Sequence, residues 1–127
     1  MAAKYNVVAR KNPRDPDAAS KYYPSFVTSG RVTLRQLAEQ IANISTVSTI
    51  DTLAVLEALL KVLPEHLVNG EIVQLGDFGS FQLRIKSTGS ETPEEVNASN
   101  IINVLPLFRP SKAFKQALRN TEFRKAE

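Results

Sequence analysis

Apolar positions in this chain change period along its length. Between about residues 34 and 69 they recur every three to four residues, and on either side they alternate. Leu34, Leu37, Ala38 and Ile41 fall on one face of a helix over 34–43, and Thr33-Leu-Arg-Gln36 supplies a capping box at its start. Asn43-Ile-Ser-Thr-Val-Ser48 breaks that helix. Ser48 is placed to cap a second, long helix over about 49–69, with Asp51 on its first turn. Ile50, Leu53, Ala54, Leu56, Leu59, Leu60, Leu63 and Leu67 make an apolar surface wider than one stripe. A helix apolar on more than one side is buried on more than one side. A small monomer has little to bury it against, so a partner subunit is expected. Pro64 is expected to kink the last turn or two. Asn69-Gly70 then stops the helix, Gly70 being suited to the left-handed conformation past its end.

The flanks read as strands and turns. Tyr5 to Lys11 alternates as a short strand, Asn12-Pro-Arg-Asp-Pro-Asp17 is a loop, and Tyr22 to Val32 is an edge-type strand interrupted by Pro24 and closed by Ser29-Gly30. Beyond the long helix, Glu71 to Leu75 is a strand and Gly76 and Gly79 bracket a tight turn. Ser80 to Lys86 is a second strand with Phe81, Leu83 and Ile85 on one face. Lys86 to Asn100 is a polar tip, and Ile101 to Phe108 is a strand that Pro106 marks as an edge. Ser111 caps a last helix to about Asn120, with Ala113, Phe114, Ala117 and Leu118 as its buried face. Thr121-Glu-Phe-Arg-Lys125 alternates and is able to return as a strand beside Tyr5–Lys11. The fold class expected is α+β.

Composition narrows the classes of function. The chain has 127 residues, enough for one domain with a modest core. With 43% hydrophobic and 23% charged residues it is not a disordered chain. It has no cysteine, which excludes disulfides and thiolate chemistry and is compatible with a reducing compartment. No apolar run approaches the roughly 20 residues of a membrane-spanning helix. Met1-Ala-Ala-Lys-Tyr-Asn has no apolar core of a signal peptide, so a cytoplasmic protein is expected. The net charge of +3 is segregated. Residues 1–35 carry seven Lys/Arg against two Asp, residues 36–80 one Lys against six acids, and residues 81–127 eight Lys/Arg against five acids. Basic ends around an acidic middle can guide a polyanion over about a Debye length.

Candidate chemistry is sparse. His66 is the sole histidine and has no second ligand type beside it for a zinc site, so a surface residue near a helix end is expected. Glu91, Glu94 and Glu95 form a solvated loop rather than an acid/base pair. Gly76-Asp-Phe-Gly79 is not a phosphate-cradling loop, because no Lys-Ser/Thr helix start follows it. No nucleophile–base pairing is visible. No enzyme, cofactor, metal or small-molecule substrate is expected.

The order helix, turn, helix, β-hairpin with a long tip, basic helix carries a resemblance. Ser48 to Gly70, Ile72-Val-Gln-Leu-Gly-Asp-Phe-Gly-Ser-Phe81 and Phe108-Arg-Pro-Ser-Lys112 resemble the HU / integration-host-factor family of bacterial histone-like DNA-binding proteins. The last two segments look like the family's glycine–Phe–glycine turn and its Phe–basic–Pro–small–Lys motif. The resemblance covers roughly 33–120. The N-terminal extension is similar to that of HU-like proteins in the Bacteroides group. The boundaries expected are a 1–32 extension with short strands, a 33–120 HU-like DNA-binding domain and a 121–127 C-terminal strand or tail.

The resemblance implies an HU-like fold. Two N-terminal helices, a three-stranded antiparallel β-sheet with a protruding β-ribbon arm and a C-terminal helix would form an intertwined homodimer. Leu56, Leu59, Leu60, Leu63, Phe78, Phe81 and Phe108 would lie in the dimer core. The partner it implies is double-stranded DNA, held without strong sequence preference in the nucleoid by cations that neutralise phosphates. The candidates in the matched region are Arg84, Lys86, Arg109, Lys112, Lys115 and Arg119. Lys4, Arg10, Lys11, Arg14 and Lys21 of the extension are further ones. The chain departs from the family at the arm tip, where the family is rich in Lys/Arg and carries an Arg-Asn-Pro wedge. Ser87-Thr-Gly-Ser-Glu-Thr-Pro-Glu-Glu-Val96 has three Glu and no Lys or Arg, and Pro93, the only proline there to act as a wedge, is followed by two acids. An alternative is therefore open: a structural or adaptor dimer with weak or no DNA binding that uses its terminal extensions for protein partners.

Overall fold

A computed structural model describes residues 2–126 of the chain. In chain order the elements are β1 (Ala3–Arg10), β2 (Lys21–Val27), α1 (Leu34–Asn43), α2 (Thr49–Val68), β3 (Val73–Leu75), β4 (Gly79–Ser87), β5 (Ile101–Pro110), α3 (Lys112–Arg119) and β6 (Phe123–Lys125). Two single 3-10 turns, Pro93–Glu95 and Ala98–Asn100, lie between β4 and β5. The fold is α+β. The chain divides into two compact units: Leu34–Gln116, and the residues up to Thr33 together with those from Ala117 on.

In the larger unit, α1 and α2 pack against each other and are joined by the short break at 44–48. The N-terminus of α2 is built as its sequence dictates. The Ser48 hydroxyl accepts from the Asp51 amide at 3.1 Å, and the Thr52 hydroxyl donates to the Ser48 carbonyl at 2.8 Å. Its C-terminus is a Schellman turn: the Gly70 amide donates to the Leu67 carbonyl at 2.9 Å and the Glu71 amide to the His66 carbonyl at 3.2 Å. Gly70 sits at φ 81°, a conformation that favours glycine. The helix continues through Pro64 to Val68. His66 is exposed, and its Nδ1 lies 3.1 Å from Oε1 of Glu71, a pairing across the cap that spacing alone had not suggested.

The sheet of this unit runs β3-β4-β5, antiparallel throughout. Phe81 pairs with Phe108, Leu83 with Pro106 and Ile85 with Val104, so these six share one face. Pro106 is tolerated because β5 is an edge of this sheet. The register slips between Lys86 and Ser87, which pairs with Ile101, leaving Ile102 without a partner at a bulge.

Little of the larger unit is buried by the chain itself. Among the described residues only Ala38, Thr52, Leu67 and Gly79 are buried. On α2, Ile50 is 76% exposed, Leu60 56% and Val68 78%, so the broad apolar surface of that helix is largely uncovered. The expected buried face of α3 is corrected in the same way. Phe114 is half-buried, whereas Ala113, Ala117 and Leu118 are exposed in the single chain.

The smaller unit is a second three-stranded sheet in the order β2-β1-β6. β1 and β2 pair antiparallel over seven residues, from Lys4 with Val27 to Arg10 with Lys21. The alternating C-terminal segment does return as a strand: β6 pairs parallel with β1, Ala3 with Phe123, Lys4 with Arg124 and Tyr5 with Lys125. The Ala3 amide donates to the Glu122 carbonyl and the Ala126 amide to the Tyr5 carbonyl, each at 2.8 Å. β2 is an edge, consistent with Pro24 within it.

Candidate nucleic-acid interface

The two glycine- and phenylalanine-containing motifs come together and set the base of the arm. Phe78 in the turn before β4 stacks on Phe108 at 5.2 Å between ring centroids and meets Phe114 edge-on at 4.7 Å, while Phe81 lies 4.8 Å from Phe108. Ser111 ties the same parts through hydrogen bonds. Its amide donates to the Phe78 carbonyl at 3.1 Å, its hydroxyl donates to the Asp77 carbonyl, and the hydroxyl accepts from the Phe114 amide at 3.1 Å as the cap of α3. Gly79 allows the close approach. It has φ 156°, and a Cβ there would stand 2.6 Å from the Arg109 carbonyl oxygen and 2.6 Å from the Phe108 ring. Phe114 is therefore a fourth member of the aromatic group expected from Phe78, Phe81 and Phe108.

This base orients cations. Ser80, Gln82, Arg84 and Lys86 alternate onto the face of β4 opposite the phenylalanines, and Arg109, paired with Ser80, lies on that same face. Lys112, Lys115 and Arg119 follow at helical spacing along α3. All six are exposed, and none forms an ion pair with another described residue. Arg84, Lys86 and Arg109 share one ribbon face, and Lys112 begins the helix directly after it.

The arm between Ser87 and Ile101 is ordered by its own polar side chains. The Thr88 amide donates to the Asn100 carbonyl at 2.8 Å, and the Asn100 amide group donates to the Thr88 carbonyl at 3.0 Å and to the Ser90 hydroxyl at 2.9 Å. Asn97 caps the second 3-10 turn by accepting from the Ser99 amide at 2.9 Å. Pro93 opens the first 3-10 turn, exposed, with Glu94 and Glu95 in the same turn. Glu91, Glu94 and Glu95 are exposed, as a solvated loop requires.

In the smaller unit, Lys4 and Arg10 lie on β1, and Lys11 and Arg14 in the loop that follows, where the Arg14 amide donates to Oδ1 of Asn12 at 3.0 Å. Lys4, Asn6, Val8 and Arg10 face one side of the sheet, and Lys21 and Arg124 join them through the register. Ala3, Tyr5 and Val7 face the other, with Tyr22, Pro24, Phe26 and Phe123. Arg124 was not singled out by sequence, since its place beside Lys4 depends on the register of a strand from the far end of the chain. No group of three or more His, Asp or Glu able to hold a metal occurs among the described residues, and no helix there is long and apolar enough to cross a membrane.

Residues 1–125 match the family model HU-HIG, described as an HU domain fused to a wHTH, Ig or glycine-rich motif. The chain belongs to this family. Among characterised relatives, the DNA-binding protein HU of Thermus thermophilus is 32% identical over 90 residues, covering 69% of this chain and 93% of its own. The DNA-binding protein HU of Thermotoga maritima is 27% identical over 92 residues, 69% of this chain and 100% of that one. Among solved structures, Anabaena HU in a cocrystal with DNA superposes with a TM-score of 0.56 at 25% identity, over 70% of this chain and 99% of that one. A Bacteroides vulgatus protein, solved as a candidate bacterial DNA-binding protein, superposes with a TM-score of 0.67 at 15% identity. It spans 98% of this HU-HIG chain, which in turn spans 47% of that longer one, and it establishes likeness of fold. The HU relatives match about two-thirds of this HU-HIG chain, whereas the family model and the Bacteroides fold extend over nearly all of it.

Proposed function

We propose that this HU-HIG chain is a sequence-tolerant architectural DNA-binding protein of the bacterial nucleoid that works in the cytoplasm as an intertwined homodimer. The observation that carries the DNA reading is the match to nearly the whole of Anabaena HU, a protein crystallised with DNA. The exposed Arg84, Lys86, Arg109, Lys112, Lys115 and Arg119, free of ion pairs with described residues, support it. Their role is to neutralise phosphates, with affinity that falls steeply with salt. The dimer is supported by what the chain leaves uncovered. Leu60 and much of α2 stay open to solvent, Leu56, Leu63, Phe81 and Phe108 are half-buried, and Phe78 is 43% exposed. In this reading a second copy covers Leu56, Leu59, Leu60, Leu63, Phe78, Phe81 and Phe108.

The proposed DNA-binding domain is 33–120, with the 1–32 extension and the 121–127 strand as additions to it. Lys4, Arg10, Lys11 and Arg14 are assigned auxiliary contacts. Of the proposed roles, the wedge at Pro93 has the least support, because the carboxylates of Glu94 and Glu95 beside it repel phosphate. No catalytic role is assigned.

The acidic arm favours a second reading, an adaptor dimer that holds DNA weakly or not at all and uses its terminal strands for protein partners. Gel-shift titration with duplex and with nicked or bent DNA at two salt concentrations separates the two. Binding that weakens with salt but is firm at low salt supports the architectural role. Binding absent even at low salt leaves the adaptor.

A further inference from the structure

The terminal sheet sets four cations on one face and most of its aromatic side chains on the other. One face carries Tyr5, Val7, Tyr22, Pro24, Phe26 and Phe123, with Lys125 beside Tyr5, and the opposite face carries Lys4, Arg10, Lys21 and Arg124, with Val8, Tyr23 and Val27. The cations of that second face are paired at its two ends by the register: Lys4 stands beside Arg124 across β1 and β6, and Arg10 beside Lys21 across β1 and β2. Each pair opens onto a recess of about 520 Å³. Arg10, Lys11 and Lys21 line one with Tyr23, and Lys4, Arg124 and Lys125 line the other. Asp15, Asp17 and Glu122, the acids of this unit among the described residues, line neither recess. Between the two ends, Asn6 pairs with Ser25 and Val8 with Tyr23, so the middle of this face is neutral.

We infer that this face is a second, bipartite contact surface for the phosphate backbone of duplex DNA, separate from the ribbon and α3. Six residues at about 3.3 Å each separate Lys4 from Arg10, so the two cation clusters stand about 20 Å apart. Measured along the duplex axis that is about six steps at 3.4 Å each, a little over half a helical turn, so on one side of the duplex the two clusters meet phosphates of the two different strands. Cations held in pairs by a sheet keep their spacing without further ordering, and recesses lined by one sign of charge raise the local potential. Arg124 makes the surface dependent on both ends of the chain: residues from β1, β2 and β6 are needed to complete it.

The inference rests on the DNA reading, and its test separates the two. In the full-length chain, Lys4→Gln with Arg124→Gln removes one cluster, and Arg10→Gln with Lys21→Gln the other. Arg84→Gln with Lys86→Gln serves as the ribbon comparison. Affinity for a long duplex is measured between about 50 and 200 mM salt, where each phosphate contact contributes about −0.9 to the slope of log K against log salt. Each sheet variant is expected to lower the magnitude of that slope by about 1.8, and both together by about twice as much. Because all four side chains are exposed, unchanged thermal melting is expected and shows that the variants fold. A slope unaltered by the sheet variants but lowered by the ribbon variant overturns the second surface and leaves the DNA reading standing. Failure of the unaltered chain to bind at low salt overturns both. Loss of affinity for an RNA of equal length with the duplex slope unchanged also overturns it, by assigning the face to a different polyanion.

Discussion

Gly79 and Ser111 show how little side chain is needed to fix the base of the arm. At Gly79 the constraint is both conformational and steric, since φ is 156° and a Cβ would meet the Arg109 carbonyl and the Phe108 ring. Gly79→Ala is expected to destabilise the fold by about 1–3 kcal/mol, the usual cost of overpacking a close contact, read as a lower denaturation midpoint in urea. Ser111 caps α3 and holds the turn carbonyl of Asp77 with the same hydroxyl. Ser111→Ala removes both bonds and should cost about 1–2 kcal/mol, with Ser111→Thr recovering part of it in the same titration. These roles were partly legible: a serine before a helix is a cap signal. That Gly79 abuts β5, and that Ser111 also reaches Asp77, follow from contacts between segments far apart in sequence.

Among the elements, α2 was the most readable, because its caps are local. Ser48, Asp51, Asn69 and Gly70 act within a turn of themselves, and the observed bounds are Thr49–Val68. The face of α3 was less so. Ala113, Ala117 and Leu118 have the spacing of a buried stripe, yet spacing cannot say which chain provides the cover, and they lie exposed in this one. The arm shows a different limit. Its strands follow from alternation, but the closure of its tip depends on Asn97 and Asn100, whose side chains replace the absent ladder bonds. The tip's three carboxylates are expected to repel phosphate. Glu91→Gln, Glu94→Gln and Glu95→Gln together should raise duplex affinity without changing thermal stability, measured by fluorescence anisotropy and melting side by side. Unchanged affinity would mean that the tip stays clear of DNA.

At the scale of the molecule, the balance of burial is the leading fact. A chain of this length with four buried residues among those described has not met its own demand for apolar cover. In the proposed dimer, folding and association are one equilibrium, so the melting temperature should rise with protein concentration. A melting temperature constant over a hundredfold range (about two decades of mass action) would point to a folded monomer. Charge adds a second pattern. The basic ends read from sequence as a general bias, and the sheet order β2-β1-β6 gathers Lys4, Arg10, Lys21 and Arg124 onto one face and most of the aromatic side chains onto the other. Alternation within each strand was visible beforehand. The register that aligns Lys4 with Arg124 was not, because it is set by pairing between opposite ends of the chain.

That pairing also has a temporal side. Among the described elements β1 leaves the ribosome before the others and β6 after them, so the hairpin of β1 and β2 waits with one row of backbone donors and acceptors unsatisfied. Parallel pairing over so long a separation is slow, since the loop must close before any bond rewards it. Until then the waiting strand is a sticky edge, open to another nascent chain. The short β6 covers Ala3–Tyr5 of that edge and so shortens the hazard to the Asn6–Arg10 part of β1.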